Sequence, residues 1–175
     1  MAKILHIETS TGVCSVALSI NEKVTSLRES YTKNSHAELV TLFCEEVVLE
    51  SGQKFTDLDA VAVSKGPGSY TGLRIGVSTA KGYRYGLDIP LISIGTMEAM
   101  AHGLKQNYHG SKESNEILFC PMIDARRMEV YTALFSESLV EIEPTTAKII
   151  EPNSFEKQLK KNQIIFGGDG AAKCI

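Results

Sequence analysis

The sequence lacks the residue patterns that mark several classes of protein. None of its four cysteines belongs to a C-x-x-C pair or has a histidine at zinc-ligand spacing, so no metal site is indicated. No apolar run reaches the ~18 residues that suggest a membrane span. No signal-peptide pattern is visible at the N-terminus either. We therefore expect a cytoplasmic protein with no membrane partner and with reduced, mostly buried thiols.

The chain also lacks an excess of basic charge. Its 175 residues carry a formal net charge of -3. Domains that bind nucleic acid without a partner usually present a basic face. The charge therefore argues against a chain that binds nucleic acid by itself, but not against a subunit whose partner carries the basic surface. Hydrophobic residues make up 43% and charged residues 22%, which is typical of a globular protein.

The first part of the chain alternates between strand-like and helix-like segments. Ser35 and Glu38 have the spacing of a capping box before one helix, and Ser69 is placed to cap the next. The predicted strands are residues 3–9, 13–20, 23–30, 60–64 and 91–95. The predicted helices are residues 36–51, 70–86 and 97–107. Three antiparallel strands followed by helical crossovers predict a mixed five-stranded sheet.

After the polar, turn-rich residues 107–115, the same order of elements begins again. Strands are predicted at residues 117–124, 128–135, 139–150 and 163–170, with a helix at 152–162. Glu8 and Asp124 fall at matching points of the two copies. A duplicated βββαβαβα unit is the architecture of the actin-like ATPase (ribonuclease H-like) α/β group. We predict an N-terminal domain at 1–106, a linker at 107–115 and an incomplete second copy at 116–175.

The hairpin after the first strand of each copy is a candidate nucleotide site. Nucleotide-using members of the fold group place an acid and small residues there, against the phosphates and the metal. A plain β-turn explains one such hairpin equally well, and Arg126 with Arg127 makes the second unlike a glycine-rich phosphate turn. We therefore predict only a vestigial site, with no cofactor and no bound metal. Its residues are Glu8, Thr9, Ser10 and Asp124 in the two hairpins, together with Gly167 and Gly168 after the last predicted strand, where the fold group has the turn that holds adenosine.

The first two helices are the candidate partner surface. Apolar residues cover more of the first helix than one core needs, and small residues recur every fourth position on the second. Glycine inside a helix costs ~1 kcal/mol relative to alanine, so the small residues indicate close packing, either on the chain's own sheet or on another subunit. The predicted interface residues are Leu39, Val40, Phe43, Val47, Gly72, Arg74, Ile75, Gly76, Thr79 and Ala80.

Several strings of residues resemble the TsaB (YeaZ) family. They are ILHIETS, VCSVAL, SHAEL, GPGSYTGLRIGVSTAKG and IDARRMEVY, and they run from the first strand to the second half of the chain. The resemblance implies a non-catalytic subunit that pairs with a TsaD-like catalytic subunit through the first two helices. It also implies a TsaE-like ATPase as third member, self-association as a homodimer, and tRNA reached through the complex. The product would be threonylcarbamoyladenosine at tRNA position 37.

The resemblance also bears on the choice between enzyme and scaffold. TsaD-like subunits carry two metal-binding histidines at positions i and i+4 of the first helix, where this chain has His36 and Val40. The alternative function is a self-sufficient ATP-using phosphotransferase or ATPase of the actin-like group. A metallopeptidase would need H-E-x-x-H or a similar cluster, which the sequence does not contain.

Overall fold

The protein folds into two units in a computed structural model that describes residues 1–32, 35–110 and 116–174. The units are Met1–Gly95 and Thr96–Ile175. The division differs from the predicted domains, because the helix at 96–107 packs on the sheet of the second unit. Of the predicted linker, residues 111–115 lie outside the described ranges.

The first unit contains the mixed five-stranded sheet that the sequence predicts. Its strands lie in the order β3-β2-β1-β4-β5. The pairs β1–β2 and β2–β3 are antiparallel, and β4 and β5 run parallel to β1. The elements are β1 (Lys3–Glu8), β2 (Cys14–Ile20), β3 (Lys23–Ser30), α1 (His36–Glu50), β4 (Ala60–Ser64), α2 (Tyr70–Leu87) and β5 (Leu91–Ile94). A short 3-10 helix at Phe55–Asp57 precedes β4 and was not predicted.

The core of the first unit lies between this sheet and the two helices. Leu5 and Ile7 alternate with half-buried residues along β1, so one face of the strand supplies the core. Val40 and Val47 of α1 are fully buried against that face. Full burial of one such side chain contributes about 1.5–3 kcal/mol, which makes α1 an integral part of the fold.

The two ends of α1 are held by hydroxyl groups in different ways. Ser35 precedes the helix, but its hydroxyl donates to the carbonyl of Thr32 at 2.8 Å, so the predicted capping box is wrong. Serine competes for nearby backbone carbonyls in this way when a turn brings one within reach. At the C-terminus, the hydroxyls of Ser26 and Ser51 both donate to the carbonyl of Val47, at 2.6 and 2.9 Å.

The second unit repeats the strand order of the first. Its sheet runs β8-β7-β6-β9, which matches β3-β2-β1-β4 strand for strand. The elements are α3 (Thr96–Asn107), β6 (Glu116–Asp124), β7 (Glu129–Ser136), β8 (Glu141–Ile149), α4 (Glu156–Leu159) and β9 (Asn162–Gly167). The central strand β6 is buried on both faces: Ile117 and Phe119 face α3, while Leu118 and Met122 belong to the cluster that includes Phe155.

The predicted helix at 152–162 is reduced to the single turn α4. Before it, the N–H of Glu151 donates to the hydroxyl of Ser154, and the N–H of Ser154 donates back to the carbonyl of Glu151. This closed turn uses groups that a longer helix would need. The strand β9 also ends earlier than predicted, at Gly167, because Gly168 has φ +102°.

Candidate functional site

The acid at the end of β1 is engaged within its own unit. The carboxylate of Glu8 accepts hydrogen bonds from the N–H of Ser10, at 2.6 Å, and from the hydroxyl of Ser64. Thr9 and Ser10 are buried, and the carbonyl of Ser10 accepts from the N–H of Ser69 at 2.6 Å. Glu8 therefore ties the β1–β2 turn to the loop that leads into α2.

The small residues of α2 pack on that same turn. A Cβ atom at Gly72 would collide with the carbonyl oxygen of Thr9, and one at Gly76 would collide with its side-chain oxygen. Ala80, one turn further on, is fully buried in the core of the first unit. Of the two interpretations of this stripe, packing on the chain's own fold is the one observed, and the assignment of these three residues to a partner interface is corrected.

The acid at the matching point of the second unit is paired with a lysine. The Nζ of Lys173 lies 2.7 Å from a carboxylate oxygen of Asp124 and also donates to the carbonyl of Glu129 at 2.8 Å. The hydrogen bond from Lys173, followed by one from the N–H of Arg126, lowers the pKa of Asp124 below its ordinary value. Both acids of the predicted nucleotide site thus have protein partners already.

Replacing Lys173 with methionine is expected to raise the pKa of Asp124 toward the ordinary value of about 3.9. Because the pKa of Asp124 is lower in the folded state, the pair stabilises the fold at pH values above the ordinary pKa of the group. This contribution is lost as the pH falls through the lowered pKa of the folded state. An NMR titration of the carboxyl carbons would measure the change. Lys160→Met, which removes an exposed pair with Glu156, is the control. An unchanged pKa in the Lys173 variant would contradict the pairing.

The remaining residues of the predicted nucleotide site have structural surroundings in the second unit. A Cβ atom at Gly167 would meet the side chain of Leu104, and one at Gly168 would collide with the carbonyl oxygen of Met122. The arginines of the β6–β7 turn, Arg126 and Arg127, have φ of 75° and 49°. Two consecutive residues with positive φ are typical of a tight hairpin connection.

The histidine at the start of α1 supports the fold. His36 is buried, and its Nε2 lies 3.1 Å from the carbonyl oxygen of Thr11 in the β1–β2 turn. Val40, one helical turn later, is buried in the core. Among the described residues, no group of three or more His, Cys, Asp and Glu side chains is arranged to hold a metal ion.

The outward face of the helix pair is where large side chains are left exposed. Leu42 and Leu49 of α1 are 46% and 79% exposed, and Tyr70 and Tyr85 of α2 are 74% and 83% exposed. With the charged or polar residues between them, they form two stripes along adjacent helices, which we call the α1–α2 surface. The surface consists of Glu38, Leu42, Glu45 and Leu49 on α1 and Tyr70, Arg74, Ser78, Lys81 and Tyr85 on α2.

The predicted interface residues divide between this surface and the core. Arg74 is exposed, while Leu39, Ile75 and Thr79 are half-buried near the surface. Val40, Phe43 and Val47 are buried in the chain's own core, so their assignment to a partner interface is corrected as well. The sequence did contain a signal for the exposed α1 stripe, because positions 38, 42, 45 and 49 follow the spacing of one helix face.

Within the described ranges, no helix combines the length and the apolar character needed to cross a bilayer.

The two sheets, with their shared strand order and helical crossovers, define an actin-like (ribonuclease H-like) α/β fold. Solved structures agree with this class. YeaZ from Pseudomonas aeruginosa superposes with a TM-score of 0.73 at 24% identity, over 87% of this chain and 68% of that one. A second structure, of an uncharacterized protein similar to peptidase YEAZ from Pseudomonas aeruginosa, gives a TM-score of 0.76 at 19% identity, over 96% of this chain and 84% of that one.

Sequence comparison identifies the family. Residues 27–166 match the family model TsaD: tRNA N6-adenosine threonylcarbamoyltransferase. The tRNA threonylcarbamoyladenosine biosynthesis protein TsaB of Buchnera aphidicola subsp. Schizaphis graminum is 31% identical over 97% of this chain and 80% of its own length. TsaB of Escherichia coli is 34% identical over 75% of this chain and 54% of its own length. The chain belongs to the TsaB (YeaZ) family, and it spans about half the length of the Escherichia coli and Bacillus subtilis relatives.

Proposed function

We propose that this chain is a non-catalytic subunit that pairs with a TsaD-type catalytic subunit for threonylcarbamoyl transfer to adenosine 37 of tRNA. A TsaE-type ATPase is the proposed third member, and tRNA is reached only through the complex. The names of the TsaB relatives support a role in threonylcarbamoyladenosine biosynthesis. The same names do not fit the alternative of a self-sufficient ATP-using phosphotransferase.

The observation that carries the proposal is the contrast between the two candidate sites. At the position of the nucleotide site, Glu8 is bonded to Ser10 and Ser64, and Asp124 is paired with Lys173. At the α1–α2 surface, four large side chains project outward from two helices that are themselves firmly packed on the sheet. A rigid scaffold with an exposed apolar face is typical of a protein interaction site.

The helix pair also supports the choice of TsaB over TsaD chemistry. A metal site of the TsaD type requires two histidines on one face of the first helix, and here the second position is the buried Val40. His36 itself contacts the β1–β2 turn. We therefore propose that the TsaD-type partner binds the metal and carries out the transfer reaction.

The test is capture of a TsaD-type subunit from the same organism by the purified chain, measured by co-purification and by analytical ultracentrifugation. We expect a stable 1:1 complex and no ATP hydrolysis by the chain alone. A turnover near the ~1 per second of modest enzymes, together with no capture of the TsaD-type subunit, would overturn the proposal.

A further inference from the structure

The tip of the β6–β7 hairpin carries two arginines that the proposed function does not use. Arg126, Arg127 and Met128 form this tip, and all three are exposed. Within the described ranges, neither arginine side chain takes part in a hydrogen bond, an ion pair or a ring contact. By contrast, Arg28 of β3 holds two glutamates of α1. The tip arginines therefore have no partner in this part of the chain.

The backbone of the tip is one that arginine does not favour. Arg126 and Arg127 have φ of 75° and 49°, a region that is uncommon for residues with a long side chain. Turns of this kind usually contain asparagine, aspartate or glycine. The turn between β2 and β3 also has two consecutive residues with positive φ, and there the first is Asn21. The two arginines are therefore not explained by the needs of the turn.

The hairpin holds the arginines on a fixed backbone. The N–H of Ala125 donates to the carbonyl of Glu129 at 3.1 Å, and the N–H of Glu129 donates to the carbonyl of Arg126 at 3.0 Å. The N–H of Arg126 donates to the carboxylate of Asp124 at 2.5 Å. Three backbone N–H groups of the turn are therefore used inside the hairpin, and an anion bound there would have to be held by side chains.

Two carboxylates at the base of the hairpin already have partners. Asp124 is paired with Lys173, at 2.7 Å. Asp169 accepts a hydrogen bond from the N–H of Asp124 at 2.9 Å. Glu129, the first residue of β7, is half-buried. None of these acids forms an ion pair with a tip arginine in the described ranges, so two positive charges remain unpaired at an exposed position.

We propose that Arg126 and Arg127 bind phosphate groups of the tRNA that the complex holds. A guanidinium group is planar and can donate two parallel hydrogen bonds to the oxygens of one phosphate. Two such contacts are too few to hold tRNA without a partner, which agrees with the net charge of -3. The inference rests on the proposed function, because the complex must supply the rest of the tRNA site. The contact adds to the α1–α2 surface and does not replace it.

The donors at the tip favour the backbone of an RNA over a single nucleotide. Nucleotide phosphates are bound by free backbone N–H groups of a turn, together with a metal ion and the acids that hold it. Here three N–H groups are used within the hairpin, and Asp124 is paired with Lys173. Only the two side chains remain. Since phosphate contacts carry no sequence information, we expect the contribution to be the same for every tRNA that the complex binds.

The test variant is Arg126→Asn with Arg127→Gly, because it removes both charges and gives the turn the residues that it prefers. Its melting temperature should equal or exceed that of the parent chain. Fluorescence anisotropy would measure tRNA binding by the complex with TsaD-type and TsaE-type subunits at roughly 50–200 mM salt. We expect about tenfold weaker binding, and a slope of log K against log salt that is smaller by about 2, since each phosphate contact contributes ~0.9.

Two further variants separate the fork of the guanidinium group from charge alone. Arg126→Lys with Arg127→Lys keeps the charges and loses the fork, so it should keep the salt slope and bind with intermediate affinity. The matched control is Lys157→Gln with Lys161→Gln, which removes two exposed positive charges from the same unit. This control should leave both the affinity and the slope unchanged.

Unchanged tRNA affinity and salt slope in the Arg126→Asn, Arg127→Gly variant would overturn the inference, as would an equal loss in the lysine control. Weaker assembly of this variant with either subunit, at unchanged tRNA affinity, would assign the arginines to a protein contact and overturn it too. The same holds if calorimetry shows ATP binding to the parent chain that the variant loses. Failure of the parent complex to assemble contradicts the proposed function itself, and it is seen before tRNA is added.

Discussion

Replacing Gly72 with alanine is expected to destabilise the fold by about 3 kcal/mol, the upper end of the usual cost of overpacking. The added methyl group would collide with the carbonyl oxygen of Thr9, a backbone atom in a turn whose neighbours are buried. Alanine in place of glycine inside a helix would otherwise stabilise by ~1 kcal/mol, so the expected sign is opposite to helix propensity. Urea unfolding followed by circular dichroism would measure the change.

Gly82 is the matched control, because it lies in the same helix. A Cβ atom there would meet no atom within 4 Å, so Gly82→Ala should be neutral or stabilising by up to ~1 kcal/mol. Equal behaviour of the Gly72 and Gly82 variants would show that α2 does not pack on the β1–β2 turn as described. The comparison also distinguishes packing of the glycine stripe on the chain's own fold from packing on a partner. If the stripe packed on a partner, Gly72→Ala would leave the stability of the isolated chain unchanged.

Replacing Leu42 and Leu49 together with aspartate is expected to weaken capture of a TsaD-type subunit by ~100-fold or more. Burial of a leucine side chain contributes about 1.5–3 kcal/mol, and each 1.4 kcal/mol is a factor of ten in affinity. Both side chains are exposed on α1, so the fold of the chain should persist in this variant. Titration calorimetry or surface plasmon resonance with the purified subunit would give the affinities.

A control for that variant is Val140→Asp with Ile142→Asp, which alters two exposed apolar residues near the start of β8 in the second unit. This change should leave capture unchanged. If the Leu42 and Leu49 variant binds as tightly as the parent while the β8 variant does not, the interaction surface lies on the second unit.

The architecture could be predicted well from the sequence, because hydrophobic periodicity and turn-forming residues determine the helices and strands locally. The strands of the first unit follow from runs of β-branched residues such as residues 60–64. The start of α2 follows from the cap at Ser69, whose hydroxyl accepts a hydrogen bond from the N–H of Gly72 at 3.2 Å. The helix at 152–162 was overestimated because the pattern cannot show that Ser154 closes a turn with Glu151. The solved YeaZ structure confirms the fold class.

The site residues were predicted less accurately than the fold, because a sequence does not show which side of a helix faces its own sheet. Val40, Phe43 and Val47 are apolar and were assigned to a partner surface, yet they form the chain's own core. The glycines of α2 raised two explanations that only the position of Thr9 could separate. The function of the exposed stripes as an interface stays a prediction.

We propose that the chain acts through its α1–α2 surface and not through chemistry of its own. The most direct measurement is threonylcarbamoyladenosine formed on tRNA by TsaD-type and TsaE-type subunits supplemented with each form of the chain. We expect the parent and Asp124→Asn forms to support modification equally, whereas the variant with Leu42→Asp and Leu49→Asp should support far less, because it captures the TsaD-type subunit ~100-fold more weakly. Loss of modification with Asp124→Asn, while that variant still captures the TsaD-type subunit, would show instead that the chain contributes chemistry of its own.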